Sequence, residues 1–307
     1  MASWLDPQSP EAQAIVRLFA SYLVIAVTIF LIVSSLIAYS LIRYRARAGT
    51  QQPRQVTGSR PLEFTWTAIP LLIVASLFVL TVRTMAFVDA PQDLTANPGL
   101  LVTGHQWWWE ARYPNGATAV NEIHIPTGTR LLARIDAADV IHDFWVPQLA
   151  RKIDAVPGRP SFLWLDADAP GTYQGTCAEF CGMQHAGMRF QVIAEPPAVF
   201  SAWVEAQAQT PPEPTGGPSA AGARIFRDQK CGECHAVSAA DRAPRNGPPL
   251  THIAGRNRLA GDLANTPENI GRWILTPQAV KPGNRMPAQH LSNTDAAAVT
   301  AYLESLR

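Results

Sequence analysis

The sequence predicts a membrane-anchored, multidomain chain: two transmembrane helices, then an all-β domain, then an all-α domain. Three observations predict it. Two long uncharged runs, residues 18–42 and 65–82, lie in the first third of the chain. Short apolar or alternating runs divided by Pro, Gly, Asn and Asp fill the middle. The motif Cys231-Gly232-Glu233-Cys234-His235 then sits in a segment whose apolar residues recur at helical spacing.

The first uncharged run has 25 residues, about 37 Å as a helix, enough to cross a hydrocarbon core of about 30 Å. The second has 18, about 27 Å, near the lower limit for a span. Pro70 falls in the first turns of that run, where proline does least harm. Arg43, Arg45, Arg47, Arg54 and Arg60 lie between the runs with Glu63 as the only acid, whereas Asp6, Glu11, Asp89 and Asp93 flank them on the outside against Arg17 and Arg83. The excess of arginine places the connection in the cytoplasm and both termini outside; the expected location is a bacterial inner membrane, with all that follows the spans on its periplasmic side. A cleaved signal peptide is not expected, because the first apolar run is too long and acids precede it. A net charge of +1 leaves no basic surplus for phosphates, which argues against a nucleic-acid partner.

These patterns divide the chain into a transmembrane hairpin over residues 14–88, an all-β domain over 97–208, a linker over 209–219 and a haem domain over 220–307. The strand-like runs are 101–109, 122–125, 129–135, 161–165 and 188–193, a spacing that suits a Greek-key sandwich or barrel. A short helix is expected at 198–208, after Pro196-Pro197. The linker is rich in Pro and Gly. In the last domain, Ser292 and Asp295 precede Val299, Tyr302, Leu303 and Leu306, the pattern of a capped amphipathic helix.

The all-β domain carries the most informative stretch, Cys177-Ala-Glu-Phe-Cys181-Gly-Met-Gln-His185-Ala-Gly-Met188. Thiols, imidazole and thioether are the soft ligands that select copper. Two glycines interrupt the run, so a tight loop around metal is expected in place of a helix. Four cysteines could instead form two disulfides, but each pair sits inside a fuller ligand pattern. A mononuclear blue-copper site needs one Cys, two His and a weak axial Met; here a second thiolate is present, and two thiolates can bridge two coppers. The second imidazole must come from elsewhere, and His142, among apolar and aromatic neighbours in Val140-Ile-His-Asp-Phe-Trp-Val-Pro147, is the best placed.

His142, Cys177, Glu179, Cys181, His185 and Met188 together resemble the binuclear CuA pattern of the cytochrome c oxidase subunit II family. The resemblance runs over residues 14–193 and includes Gly104-His-Gln-Trp-Trp-Trp109, Asn121-Glu-Ile-His-Ile-Pro126 and Asp154-Ala-Val-Pro-Gly-Arg159. It implies a cupredoxin fold for the all-β domain, and Glu179 as a ligand through its main-chain carbonyl, with its side chain facing a magnesium site shared with subunit I. Trp107 matches the tryptophan through which electrons reach CuA; Trp108 stands where the family usually has Tyr. Glu63 resembles the carboxylate at the mouth of a proton channel, with a helix-start acid at the membrane interface as the other reading. Met183 is a rival thioether, but Met188 fits the pattern better. His105 and His124 read as structural histidines.

In the haem motif, Cys231 and Cys234 are placed for thioether bonds and His235 for the proximal nitrogen, whereas a bare Cys-x-x-Cys pair would also suit zinc or a redox dithiol. Met286, in Arg285-Met-Pro287, is the only methionine after residue 188. His/Met ligation gives a raised potential suited to electron transfer. His252 and His290 are the alternatives. Gly247-Pro-Pro-Leu250 and Ile253-Ala-Gly-Arg256 resemble class I cytochromes c.

The combined expectation is subunit II of a respiratory haem-copper oxidase with a fused cytochrome c domain. Electrons would pass from cytochrome c or another donor to haem c, to CuA, and on to subunit I, where oxygen is reduced and protons are translocated; subunit III is a further expected partner. Two other classes stand against this: a membrane-anchored copper chaperone, for which two thiols and one histidine would suffice, and a quinol-oxidase-type subunit, which should lack these ligands. Nitrous oxide reductase carries CuA too, but lacks the two-span anchor.

Overall fold

A computed structural model describes residues 3–45, 49, 55, 57–241 and 246–307. By its contacts the chain separates into residues 13–89 and a larger unit of residues 1–12 with 90–307.

The smaller unit contains most of α1 (Pro10–Arg43) and all of α2 (Arg60–Val88), both long and apolar enough to cross a membrane. Each runs beyond its uncharged stretch, with Arg17, Arg43, Arg60, Glu63 and Arg83 exposed on the added turns. Tyr22 and Thr81 hydroxyls meet at 3.0 Å. Ser59 holds the N-cap position of α2, its amide donating to Glu63 Oε1, and Pro61 occupies the first turn. Pro70 therefore lies inside the helix, not in its first turns as the span length suggests. A transmembrane helix tolerates this, since neighbours can re-satisfy the freed carbonyl. Of the arginines between the spans, Arg47 and Arg54 lie outside the described residues.

In the larger unit, ten strands form two five-stranded sheets: β1 (Leu100–His105), β2 (Trp108–Arg112), β3 (Thr118–Val120), β4 (Glu122–Pro126), β5 (Leu131–Ala137), β6 (His142–Trp145), β7 (Ile153–Ala155), β8 (Ser161–Leu165), β9 (Gly171–Cys177) and β10 (Arg189–Glu195). The orders are β3-β2-β1-β5-β8 and β4-β10-β9-β6-β7. Two pairs are parallel, Leu100 opposite Ala133 in β1 and β5, and Gln191 opposite Glu122 in β10 and β4. Trp109, Phe144 and Phe190 fill the core with Ile123, Ile125, Ile135, Leu163 and Leu165, all at most 2% exposed. The run 101–109 is not one strand: the chain turns at Gln106-Trp107 and pairs Gly104 with Trp109. The N-terminal segment is tied to this sandwich. Glu11, counted by the sequence among the outer flank acids, is buried and paired at 2.6 Å with Arg130.

Helix α3 (Pro197–Gln207) packs Phe200 and Trp203 on the sandwich. The haem domain follows with α4 (Gly217–Asp228), β11 (Arg258–Leu259), β12 (Leu263–Ala264), α5 (Pro267–Leu275), α6 (Pro277–Val280) and α7 (Asn293–Ser305). Helix α4 starts three residues ahead of the expected boundary at 220, because extended Gly216 and the first-turn Pro218 begin it inside the linker. Ser292 caps α7 by accepting from the Asp295 amide at 3.1 Å. The core joins Phe226, Ile270, Ile274, Val299, Tyr302 and Leu303. Where α4 meets α7, a Cβ on Gly222 would overlap the Ala298 carbonyl, so the crossing is open only to glycine.

Candidate functional site

His142 and Cys177 are 35 residues apart, yet neighbouring strands bring them together. His142 opens β6 and Cys177 closes β9, which pair with Phe144 opposite Cys177. The signal in β9 is alternation: Tyr173, Gly175 and Cys177 are buried while their neighbours are not. Gly175 is there because any Cβ would enter the Phe190 ring. After Cys177 the chain loops out and returns as β10; the Cys177 amide donates to the Met188 carbonyl at 3.1 Å and closes the loop. Gly182 turns it at φ +113°, against Gln106 and Trp107.

The loop and β6 gather a compact donor set. Cys177 Sγ lies 3.9 Å from His142 Nδ1, 3.8 Å from Cys181 Sγ and 3.2 Å from the Glu179 carbonyl. Cys181 Sγ lies 3.7 Å from His185 Nδ1 and 3.6 Å from Met188 Sδ. Both cysteines are free thiols. His142, Cys177, Cys181 and Met188 are buried, whereas Met183 is 72% exposed and outside the cluster. Hydrogen bonding from Cys181 pulls the Cys177 thiol below the usual thiol range, and the same contact pushes Cys181 up. Two thiols so close can both ionise only when a cation offsets the second charge. Two sulfur anions, two imidazoles, a thioether and a carbonyl are soft donors that fit a pair of copper ions.

Residues around this set orient it. Asp139 Oδ1 meets His142 Nε2 at 2.9 Å. Burial works to raise the Asp139 pKa, but hydrogen bonds from His142 and the amides of Gln106 and Val140 outweigh it and hold the carboxyl at about 2. The Cys181 carbonyl accepts from Trp107 Nε1 at 2.9 Å and from Gln106 Nε2 at 2.8 Å. A Cβ on Gly104 would crowd His142. Sequence reasoning missed Asp139 and Gln106; the one signal was a carboxylate three residues before a buried histidine. Trp108 and His105 stack at 4.0 Å, and His105 lies 3.4 Å from Glu110. His124 stacks on Trp203 and lies 3.0 Å from Glu195. Both histidines are engaged away from the donor cluster.

In the haem domain, Cys231 and Cys234 are free thiols on one short turn. His235 Nδ1 lies 2.8 Å from the Pro248 carbonyl, which selects the tautomer whose Nε2 carries the lone pair. A Cβ on Gly247 would strike the same imidazole, so the ring is seated against bare backbone. Met286 is half-buried, its amide held by Asn284 at 2.8 Å. His252 is committed to the Gln209 carbonyl at 2.8 Å, and His290 is exposed. The donor set fits a covalently bound haem. Glu63 stands in the first turn of α2, where its Oε1 accepts from the Ser59 amide at 3.3 Å.

Comparison with known proteins gives one consistent result. Residues 3–83 match the family described as cytochrome c oxidase subunit II, transmembrane domain. Residues 117–195 match the same subunit's periplasmic domain, and 219–307 match cytochrome c. Cytochrome c oxidase subunit 2 of Alkalihalophilus pseudofirmus is 39% identical over 99% of this chain and 90% of that protein. Its counterpart in Bacillus sp. strain PS3 is 34% identical over 86% of this chain and 80% of that protein. The crystal structure of the periplasmic domain of subunit II of cytochrome oxidase from Bradyrhizobium japonicum matches at 32% identity and a TM-score of 0.35, covering 37% of this chain and 94% of that one.

Proposed function

Since this chain belongs to the cytochrome c oxidase subunit II family, with a cytochrome c domain at its C-terminal end, we propose how its residues share the work of admitting electrons to the oxidase. Membrane-anchored as part of a haem-copper oxidase, it is the subunit where electrons enter. Copper and haem c each supply a one-electron couple.

In this reading His142, Cys177, Cys181 and His185 would hold the two coppers, with Met188 and the Glu179 carbonyl completing the donor set. Cys231 and Cys234 would bind the haem covalently, and His235 and Met286 would supply nitrogen and sulfur to its iron. Trp107 is where electrons reach the copper loop, through its hydrogen bond to Cys181. The Glu179 carboxylate, exposed beyond the loop, is offered to magnesium at the subunit I interface. Glu63 takes up protons near the membrane surface. Oxygen reduction and proton translocation proceed in subunit I, with subunit III as a further partner and cytochrome c or another carrier as donor. Arg43, Arg45 and Arg60, at the ends of α1 and α2 that face the connection, support a cytoplasmic connection with both redox domains on the periplasmic side.

The observation that carries this is the convergence of two thiols, two imidazole nitrogens and a thioether at separations of 3.6 to 3.9 Å. A chaperone needs fewer donors, and a copper-free quinol-oxidase type would have no use for them. The test is Cys181→Ser in the assembled oxidase, followed by metal analysis and visible and near-infrared spectra. Copper content and the mixed-valence band should disappear while the haem c band stays. Unchanged copper and unchanged cytochrome c oxidation would refute the assignment.

A further inference from the structure

Lys281 is buried at 7% exposure, on the stretch between α6 and Met286. Its side chain leaves the haem domain: Nζ donates to the Trp107 carbonyl at 2.7 Å, and to the Ala260 carbonyl of its own domain at 3.2 Å. Burial drives its pKa down to about 8, against the opposing pull of Cys181 and Asp262. Desolvating an ammonium is costly and persists only where its donors are met. Here the two carbonyls belong to two domains, so the bond serves to join them.

The surrounding contacts hold the same stretch. Arg285, beside Met286, donates to Gln106 Oε1 at 3.1 Å and lies 3.6 Å from Asp139. Gln184, within the copper loop, donates to the Pro282 carbonyl at 2.8 Å. A Cβ on Gly261, which sits at φ +107°, would fall 2.8 Å from the Gly187 carbonyl. On the far flank, buried Glu122 of β4 accepts from the amides of Asn257 and Arg258, each at 2.9 Å. Trp107 thus joins the two sides: its carbonyl receives Lys281 and its indole reaches the Cys181 carbonyl.

We propose that Lys281 is a positioning residue for electron passage between the two domains, its ammonium bolting the Met286 stretch to the main chain of Trp107 so that the haem domain works from one docked arrangement. The proposal rests on the electron-admitting reading above. One electron crosses per event: the haem domain is oxidised by one equivalent and the copper loop reduced by one. No bond is made or broken and no proton moves. Glu122 is the second anchor of the same dock.

The experiment uses the assembled oxidase carrying Lys281→Met, Lys281→Arg or Glu122→Gln. Three quantities are read: the flash-initiated rate from haem c to copper, its dependence on solvent viscosity, and amide exchange over residues 257–264. Losing a charge-assisted hydrogen bond should lower the docked population about tenfold. In Lys281→Met the rate should fall by about that factor and become viscosity-dependent, because the domain must re-dock before each transfer, and amide exchange should rise. Haem and copper spectra should not change. Lys281→Arg, which still donates to the carbonyls, should restore most of the rate. An unchanged, viscosity-independent rate in Lys281→Met overturns the proposal, as does equal slowing in Lys281→Arg. Should Lys281→Met not assemble, Glu122→Gln decides by the same rate and viscosity criteria. A wild-type oxidase without copper or thioether-bound haem would instead overturn the underlying functional reading.

Discussion

Asp139 Oδ1 lies 2.9 Å from His142 Nε2, across the imidazole from the Nδ1 that faces Cys177. A carboxylate so placed fixes the tautomer and ring orientation of a metal-binding histidine and raises its basicity. Asp139→Asn keeps the shape but removes the charge. Copper affinity should fall by about 10- to 100-fold, measured by competition with a chelator, while the haem c spectrum stays as it was.

The same carboxylate should shape the acid limb of stability. Its pKa is held at about 2 against an ordinary 3.8. A depressed folded-state value means the stabilisation is complete above the ordinary value and is lost as pH falls through the folded one. The loss therefore lies between about pH 4 and pH 2. Unfolding midpoints over that interval should be flatter in Asp139→Asn than in the parent, and the two should run parallel above pH 5.

Trp107 has two separable roles, an indole bonded to the Cys181 carbonyl and a main-chain carbonyl bonded to Lys281. Trp107→Phe removes only the first. Gln106 still donates to Cys181 at 2.8 Å, so copper binding should survive with an unchanged near-infrared band. Electron transfer from haem c to copper should slow by about tenfold or more, as expected if the lost contact contributes at least about 1.4 kcal/mol to the transfer-competent arrangement. A rate within twofold of the parent would show that the indole is packing only.

These residues also show what could be read from the chain alone. The copper loop and the haem motif were legible because most of their donors are local, and the types and spacing of Cys, His and Met are themselves the chemistry. The sandwich showed as alternating runs, but β3, β6, β7 and β9 were missed; the first three are only three or four residues long, and in β9 Gly171 and Gly175 dilute the pattern, the latter glycine being set by the Phe190 ring. Pro70 was misplaced because hydropathy marks the apolar stretch from Thr65, whereas the helix starts five residues earlier, at Arg60. Lys281 and Glu122 were out of reach. Each acts on main-chain atoms more than 130 residues away, and a carbonyl or amide leaves no mark on residue type.

Helix packing in the haem domain gives the last prediction. At the crossing of α4 and α7, a methyl group on Gly222 would collide with the Ala298 carbonyl and press on Tyr302. Backbone cannot move aside as a flexible side chain can, so the helices must separate and loosen the Phe226–Tyr302 contact, now 5.5 Å between ring centres. Gly222→Ala raises intrinsic helix propensity by about 1 kcal/mol, yet overpacking costs about 1–3 kcal/mol and more where backbone is the obstacle. The net should be destabilising. Thermal unfolding followed at the haem band should shift down, whereas the copper band, set in a different core, should keep its midpoint. A rise in the haem-domain midpoint would show that propensity prevails and that the crossing has room.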